Sequence, residues 1–318
     1  MHVIIPDDYQ DAVRGLACFS KLAGHQVTVF NDTVQDLDGL AERLEPADAL
    51  VLIRERTRIG EALLARLPRL RLISQTGKGT AHIDLAACSR RGIVVSAGTG
   101  SPHAPAELTW ALILAALRHI PREVARLRAG QWQATLGTGL RGRTLGIWGY
   151  GKIGSLVASY GRAFAMDVLV WGREGSLSRA EADGFATAAD RRSLFEQSDV
   201  LSLHLKLDGD TRGIVTAADL ARMKPMSLLV NTSRAELIEP GALEAALRAG
   251  RPGLAAVDVY EEEPVLGAGH PLLALENALC TPHLGYVEKD SYELYFGQAF
   301  DQVVAFAAGR PIHVVNPA

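Results

Sequence analysis

The sequence has no long apolar run, little cysteine and no block of one charge, and each shortage excludes a class of protein. The longest apolar stretch, 111–117, is far below the roughly 20 residues that a membrane-spanning helix needs. The apolar start at 3–5 gives way at once to Pro6-Asp7-Asp8, too short a run for a signal peptide and without a small-residue cleavage site. Cysteine occurs three times, at 18, 88 and 280, an odd number without metal-type spacing. The expectation is buried, reduced thiols and no metal centre. The 33 Lys and Arg are mixed among 36 Asp and Glu, for a net charge of -3, with no basic stripe to track nucleic acid. These shortages describe a soluble, cytoplasmic protein with neither nucleic acid nor membrane as partner.

What is present is core-forming material: 48% of the 318 residues are apolar, enough for about two domains. Short β-branched runs at 3–5, 27–30, 49–53, 71–74 and 93–95 read as strands, with helical patterns at 36–44, 60–67 and 85–91 between them. A longer helix is expected over 103–119, with Pro102 and Pro105 tolerated near its start and Pro121 ending or bending it. A second series of strands follows at 144–148, 168–171, 200–203, 228–231, 255–259 and 279–281. Strand and helix in alternation imply parallel sheets covered by helices on both faces, hence two doubly wound α/β units. The last helical run, 290–308, has no strand after it and would fold back on the first series, making that domain discontinuous.

One motif carries direct chemistry. Gly149-Tyr150-Gly151-Lys152-Ile153-Gly154 fits G-x-G-x-x-G, with a strand-like run before it and a helix-like run after it. The first glycine permits a tight turn, the second lets a pyrophosphate approach the backbone, and the third lets helix pack on strand. The helix N-terminus then offers unpaired N–H groups to the phosphates. Past the next strand, an acid would grip the ribose of NAD, but the sequence reads Gly172-Arg173-Glu174. Arg173 suits the 2′-phosphate of NADP, while Glu174, one step late, is within reach of a ribose hydroxyl, so the coenzyme is NAD(P)(H) with NADP(H) favoured. Three further residues lie just past predicted strands: Arg234 after Asn231-Thr232-Ser233, Glu263 in Glu261-Glu262-Glu263-Pro264, and His283 in Thr281-Pro282-His283-Leu284-Gly285. Each alone has an ordinary structural explanation.

Taken in order, these segments resemble the D-isomer-specific 2-hydroxyacid dehydrogenase family, which includes phosphoglycerate dehydrogenases and glyoxylate/hydroxypyruvate reductases. The likeness rests also on Thr76-Gly77-Lys78-Gly79 with His82-Ile83-Asp84, on Ala106-Glu107, on Ser202-Leu203-His204-Leu205 and on Ala256-Val257-Asp258-Val259. It implies a Rossmann-type cofactor domain over 101–283 and a discontinuous, flavodoxin-like substrate domain from 1–100 and 284–318. It further implies hydride exchange between the dinucleotide and a D-2-hydroxy acid/2-oxo acid pair. By resemblance His283 is the acid/base, Glu263 hydrogen-bonds it, and Arg234 holds the carboxylate and polarises the carbonyl. Asp258 matches the residue on the nicotinamide amide, and Lys152, Ile153, His204, Thr232, Ser233 and Gly285 would line the cofactor. Backbone N–H groups of Lys78 and Gly79 would take the substrate carboxylate, with Arg54 facing the substrate. A homodimer packed around 103–119 is also implied. The chain departs from the usual pattern at Gly172, where NAD-using members carry Asp, at Lys206 in place of proline, at Ser101 in place of asparagine, and at the cationic Lys78. The same fold serves formate and phosphite dehydrogenases, and also corepressors that sense a dinucleotide without turning it over.

Overall fold

The fold, taken from a computed structural model, is described for residues 1–316, and the chain divides into two compact units. The first comprises Met1–Ser101 and Val287–Ala318, the second Pro102–Tyr286. The chain crosses over at 101/102 and 286/287, against the 100/101 and 283/284 expected from the sequence.

The first unit holds strands β1 (His2–Ile5), β2 (Gln26–Val29), β3 (Ala49–Leu52), β4 (Leu72–Gln75) and β5 (Val94–Ala97), all parallel in the order β2-β1-β3-β4-β5. Every residue of β3 and β4 is buried, as expected for central strands covered on both faces. One face packs Ile4, Leu50, Leu52, Ile73 and Val95 under the helices Leu37–Leu44, Glu61–Leu64 and Leu85–Arg90. Asp36 and Asp84 cap two of these by accepting the Gly39 and Ala87 N–H groups, each at 2.8 Å. The C-terminal helix Lys289–Ala307 lies on the other face, where Ser74 Oγ donates to the Ala299 carbonyl at 2.9 Å and to Gln302 Oε1 at 2.7 Å.

The second unit holds β6 (Thr144–Trp148), β7 (Asp167–Trp171), β8 (Ala186–Thr187), β9 (Val200–Leu203), β10 (Leu228–Asn231), β11 (Leu254–Val257) and β12 (Ala278–Cys280). They form one parallel sheet in the order β12-β11-β10-β9-β6-β7-β8. The order reverses between β6 and β9, which is the switch point where doubly wound sheets bind ligands. Trp110, Ile113, Val157, Val170 and Val230 fill one face, and Phe195, Leu203, Leu229 and Leu247 the other. Two elements differ from the sequence expectation. The two-residue edge strand β8 leaves no pattern long enough to read. Pro121, expected to end or bend the helix before it, lies in the first turn of a second one, Ile120–Arg128. The helix His103–Leu117 ends before it, and the chain turns at His119 with φ 51°.

Candidate active site

The order of strands in the second sheet sets the order of candidate residues along its carboxyl edge. Gly172 and Arg173 follow β7, the glycine turn follows β6, His204 follows β9, Thr232 to Arg234 follow β10, Asp258 and Glu263 follow β11, and His283 and Gly285 follow β12. Residues spread over more than a hundred positions thus form one row.

The glycine turn meets the demands of a dinucleotide. Gly149 has φ +101°, and a Cβ there would lie 2.6 Å from the His204 carbonyl oxygen. At Gly154 a Cβ would lie 2.1 Å from the Gly149 carbonyl oxygen, so glycine lets the helix Lys152–Ala163 approach the turn. At Gly151 a Cβ would meet nothing within 4 Å, so the space before the turn is open to a ligand. Gly151 N-caps that helix without a side-chain hydrogen bond, and its first turn has no acidic residue, so the leading N–H groups stay available to an anion. A nicotinamide dinucleotide fits this cradle. Tyr150 differs from its neighbours: its ring is buried and its hydroxyl donates to Asp183 Oδ2 at 2.7 Å, so only its backbone lines the turn. His204 pairs its Nε2 with Ser202 Oγ at 2.9 Å, and burial pushes its pKa down to about 4. It is therefore a neutral ring at physiological pH. A Cβ at Gly172 would press on the Ser176 Cβ at 3.3 Å, so the position where an acid would grip a ribose is already crowded. Arg173 beside it is exposed and begins the helix Glu174–Ala182.

At the other end of the row, His283 Nδ1 pairs with Glu263 Oε2 at 2.6 Å, which leaves Nε2 outside that pair. The other oxygen of Glu263, Oε1, accepts the Tyr260 N–H at 3.0 Å, which fixes the carboxylate. Burial pushes the Glu263 carboxyl up, but the hydrogen bond and charge of His283, the Tyr260 N–H and the charge of Arg234 outweigh it. The net effect holds the group below its usual range, so Glu263 is a carboxylate at neutral pH. Arg234 is placed by its own turn: Asn231 Nδ2 donates to the Arg234 carbonyl at 2.8 Å, and Asn231 Oδ1 accepts the Ser233 N–H at 3.0 Å. Ser233 Oγ donates to the Leu203 carbonyl at 2.8 Å, and Thr232 Oγ1 meets Thr109 Oγ1 at 2.8 Å.

Asp258 does something the sequence did not reveal. It is fully buried, and its Oδ1 accepts the Thr281 hydroxyl at 2.6 Å and the Leu284 N–H at 2.7 Å. Its Oδ2 accepts the Gly285 N–H at 2.9 Å. The carboxylate therefore ties down the turn on both sides of His283. Burial pushes its pKa above the usual range, against the pull of these three donors and of the His283 charge. Tyr260 completes the support, donating its hydroxyl to the Thr281 carbonyl at 3.0 Å. In the sequence Asn231 and Thr281 stand only as neighbours of Arg234 and His283 within their motifs, and Tyr260 only as a polar residue at a strand end.

In the first unit, Arg54 follows β3, and Lys78 and Gly79 follow the neighbouring β4, so all three gather at one carboxyl edge. Lys78 is exposed. Among the described residues no group of three or more His, Cys, Asp or Glu is arranged to hold a metal ion, and no helix is long and apolar enough to cross a membrane.

A seven-stranded sheet with a glycine-rich turn at its switch point defines the second unit as a dinucleotide-binding α/β domain. Comparison with known proteins is more specific. Residues 110–285 match the family described as D-isomer specific 2-hydroxyacid dehydrogenase, NAD binding domain. A glyoxylate reductase from Aeropyrum pernix is 39% identical over 291 residues, covering 87% of this chain and 85% of the relative. A solved phosphoglycerate oxidoreductase from Vibrio cholerae is 58% identical, superposes with a TM-score of 0.95, and covers 97% of this chain and 99% of its own. A D-lactate dehydrogenase from Aquifex aeolicus, solved with NAD and lactic acid, shares 26% identity and a TM-score of 0.76, with 99% and 100% covered. The chain belongs to the D-isomer-specific 2-hydroxyacid dehydrogenase family. Its cofactor is a nicotinamide dinucleotide.

Proposed function

We propose that this protein reduces a small 2-oxo acid to the D-2-hydroxy acid with NAD(P)H, and catalyses the reverse oxidation, in the cytoplasm. The observation that carries the reading is the His283–Glu263 pair at 2.6 Å, on the same sheet edge as the dinucleotide turn. The nicotinamide supplies or accepts the hydride. His283 Nε2 donates a proton to the developing alkoxide, or removes it in the reverse direction, while the ionised Glu263 stabilises the imidazolium. Arg234 binds the substrate carboxylate and polarises the carbonyl through its guanidinium. Arg54 and the N–H groups of Lys78 and Gly79 complete substrate recognition. Thr232, Ser233, His204 and Gly285 would line the coenzyme, and Asp258, which holds the His283 turn, would also hold the nicotinamide amide.

Arg173, exposed beside the crowded Gly172, favours NADP(H) by pairing with the 2′-phosphate. Replacing Arg173 with Ala is expected to weaken NADPH binding about tenfold while leaving NADH nearly unchanged, since one charge-assisted contact is lost. Equal losses in a binding titration would return the residue to solvent. The proposed assembly is a homodimer packed around 103–119, and the segment that follows carries the exposed Ile120, Leu127, Trp132 and Leu136. The decisive assay presents glyoxylate, hydroxypyruvate, pyruvate and a bulkier 2-oxo acid with each reduced coenzyme. Turnover of at least one is expected, and oxidation of neither coenzyme with any of them would overturn the assignment.

A further inference from the structure

Arg54 holds a backbone conformation that a residue with a side chain rarely adopts, with φ +55°. Two neighbours at the end of β4 hold it there. Thr76 Oγ1 accepts the Arg54 N–H at 2.9 Å and donates its own proton to the Leu52 carbonyl at 2.7 Å. Gln75 Nε2 donates to the Arg54 carbonyl at 2.8 Å. Both backbone polar groups of Arg54 are therefore taken by side chains of the adjacent strand, and both side chains are 1% exposed. The guanidinium is positioned as well. It lies over the Tyr295 ring at 5.6 Å, and it fills the space a side chain at Gly77 would need, where a Cβ would fall 2.1 Å from Arg54 Nη1.

Gln75 adds a second argument. Its Oε1 is buried and has no hydrogen-bond partner, an arrangement that costs stability. An apolar side chain of similar size would avoid that cost, but it would release the Arg54 carbonyl.

We propose that Gln75 and Thr76 are positioning residues that lock Arg54 in its left-handed conformation and so fix a cation for the substrate's anionic group. The role rests on the reading of Arg54 as a substrate-facing residue. Gly77 belongs to the same device, because its lack of a side chain leaves the guanidinium its place.

The test is a double-mutant cycle on the holoenzyme, with glyoxylate or hydroxypyruvate as the varied substrate. Arg54→Ala comes first: a KM for the 2-oxo acid raised at least fivefold, with coenzyme affinity unchanged, is expected. An unchanged KM overturns the reading of Arg54 itself. Thr76→Val removes both hydrogen bonds at constant shape and should raise the same KM several-fold, with smaller effects on kcat and on coenzyme affinity. Thr76→Ser, which restores the hydroxyl, should recover most of the loss. In the Arg54→Ala background Thr76→Val should add nothing. An effect that persists in full there, or a KM untouched by Thr76→Val while Arg54→Ala raises it, overturns the positioning role alone. Gln75→Met runs through the same cycle with the same expected and overturning results, and carries the test if Thr76→Val does not fold.

Discussion

His283 has φ 51°, a left-handed conformation that costs a residue with a side chain about 1 kcal/mol or more. The Asp258 carboxylate holds it there by taking the N–H groups of the next two residues and the hydroxyl two residues before. At the scale of single residues, then, the proposed acid/base pair depends on a buried carboxyl group whose hydrogen bonds go to neither Nδ1 nor Glu263. Replacing His283 with Asn is expected to lower kcat at least ~100-fold while a titration finds coenzyme binding intact, because general acid catalysis alone is lost. Near-normal turnover in that variant would remove the histidine from the mechanism. Asp258→Asn keeps the shape but offers one acceptor oxygen to three donors. Leaving a buried N–H unpaired is expected to cost about 1–3 kcal/mol in denaturant unfolding, together with a fall in turnover as the turn loosens. An unchanged midpoint would mean that the turn holds itself. His283 and Glu263 were legible in the sequence as polar residues past strand ends. The work of Asp258 was not, because its partners lie 23 to 27 positions away and only the pairing of β11 with β12 brings them together.

Among elements, the strand–turn–helix around Gly149 was the most legible, because its constraints are local: a tight turn, a close approach and a helix start within six residues. The structure assigns its last two glycines different work, and two substitutions separate them. Gly151→Ala places a methyl group in open space, so stability should stay within about 0.5 kcal/mol while NAD(P)H affinity falls on the order of tenfold. Gly154→Ala drives a methyl into the Gly149 carbonyl and should cost about 1–3 kcal/mol as the helix shifts off the strand. Thermal melts with and without coenzyme distinguish the two, and an unaffected coenzyme shift in Gly151→Ala would contradict the cradle. Less legible were the elements whose signal is short or double-edged. Pro121 satisfies the rules for ending one helix and for starting the next, and only the turn at His119 decides between them.

For the whole molecule, the alternation of strand and helix was enough to read two parallel sheets, whereas surfaces left almost no mark. The helix Ile120–Arg128 buries none of its residues, and Trp132 and Leu136 beyond it are 75% and 95% exposed. A single chain that leaves this much apolar surface in water is expected to cover it with a second copy. Leu127→Asp combined with Trp132→Asp should convert a dimer to a monomer in sedimentation at micromolar concentration. A wild-type chain that already sediments as a monomer would refute the assembly.

The split composition of the first unit also orders events during synthesis. Ser74 on β4 finds its partners at Ala299 and Gln302, so that face of the sheet stays bare until more than two hundred further residues have been made. The second unit is continuous from Pro102 to Tyr286 and has all its own parts before that moment. On a ribosome it can therefore fold first, while the N-terminal strands wait with an apolar face uncovered. A nascent chain arrested before residue 287 would expose β4 to chaperones and proteases, and release of the last helix would end that exposure.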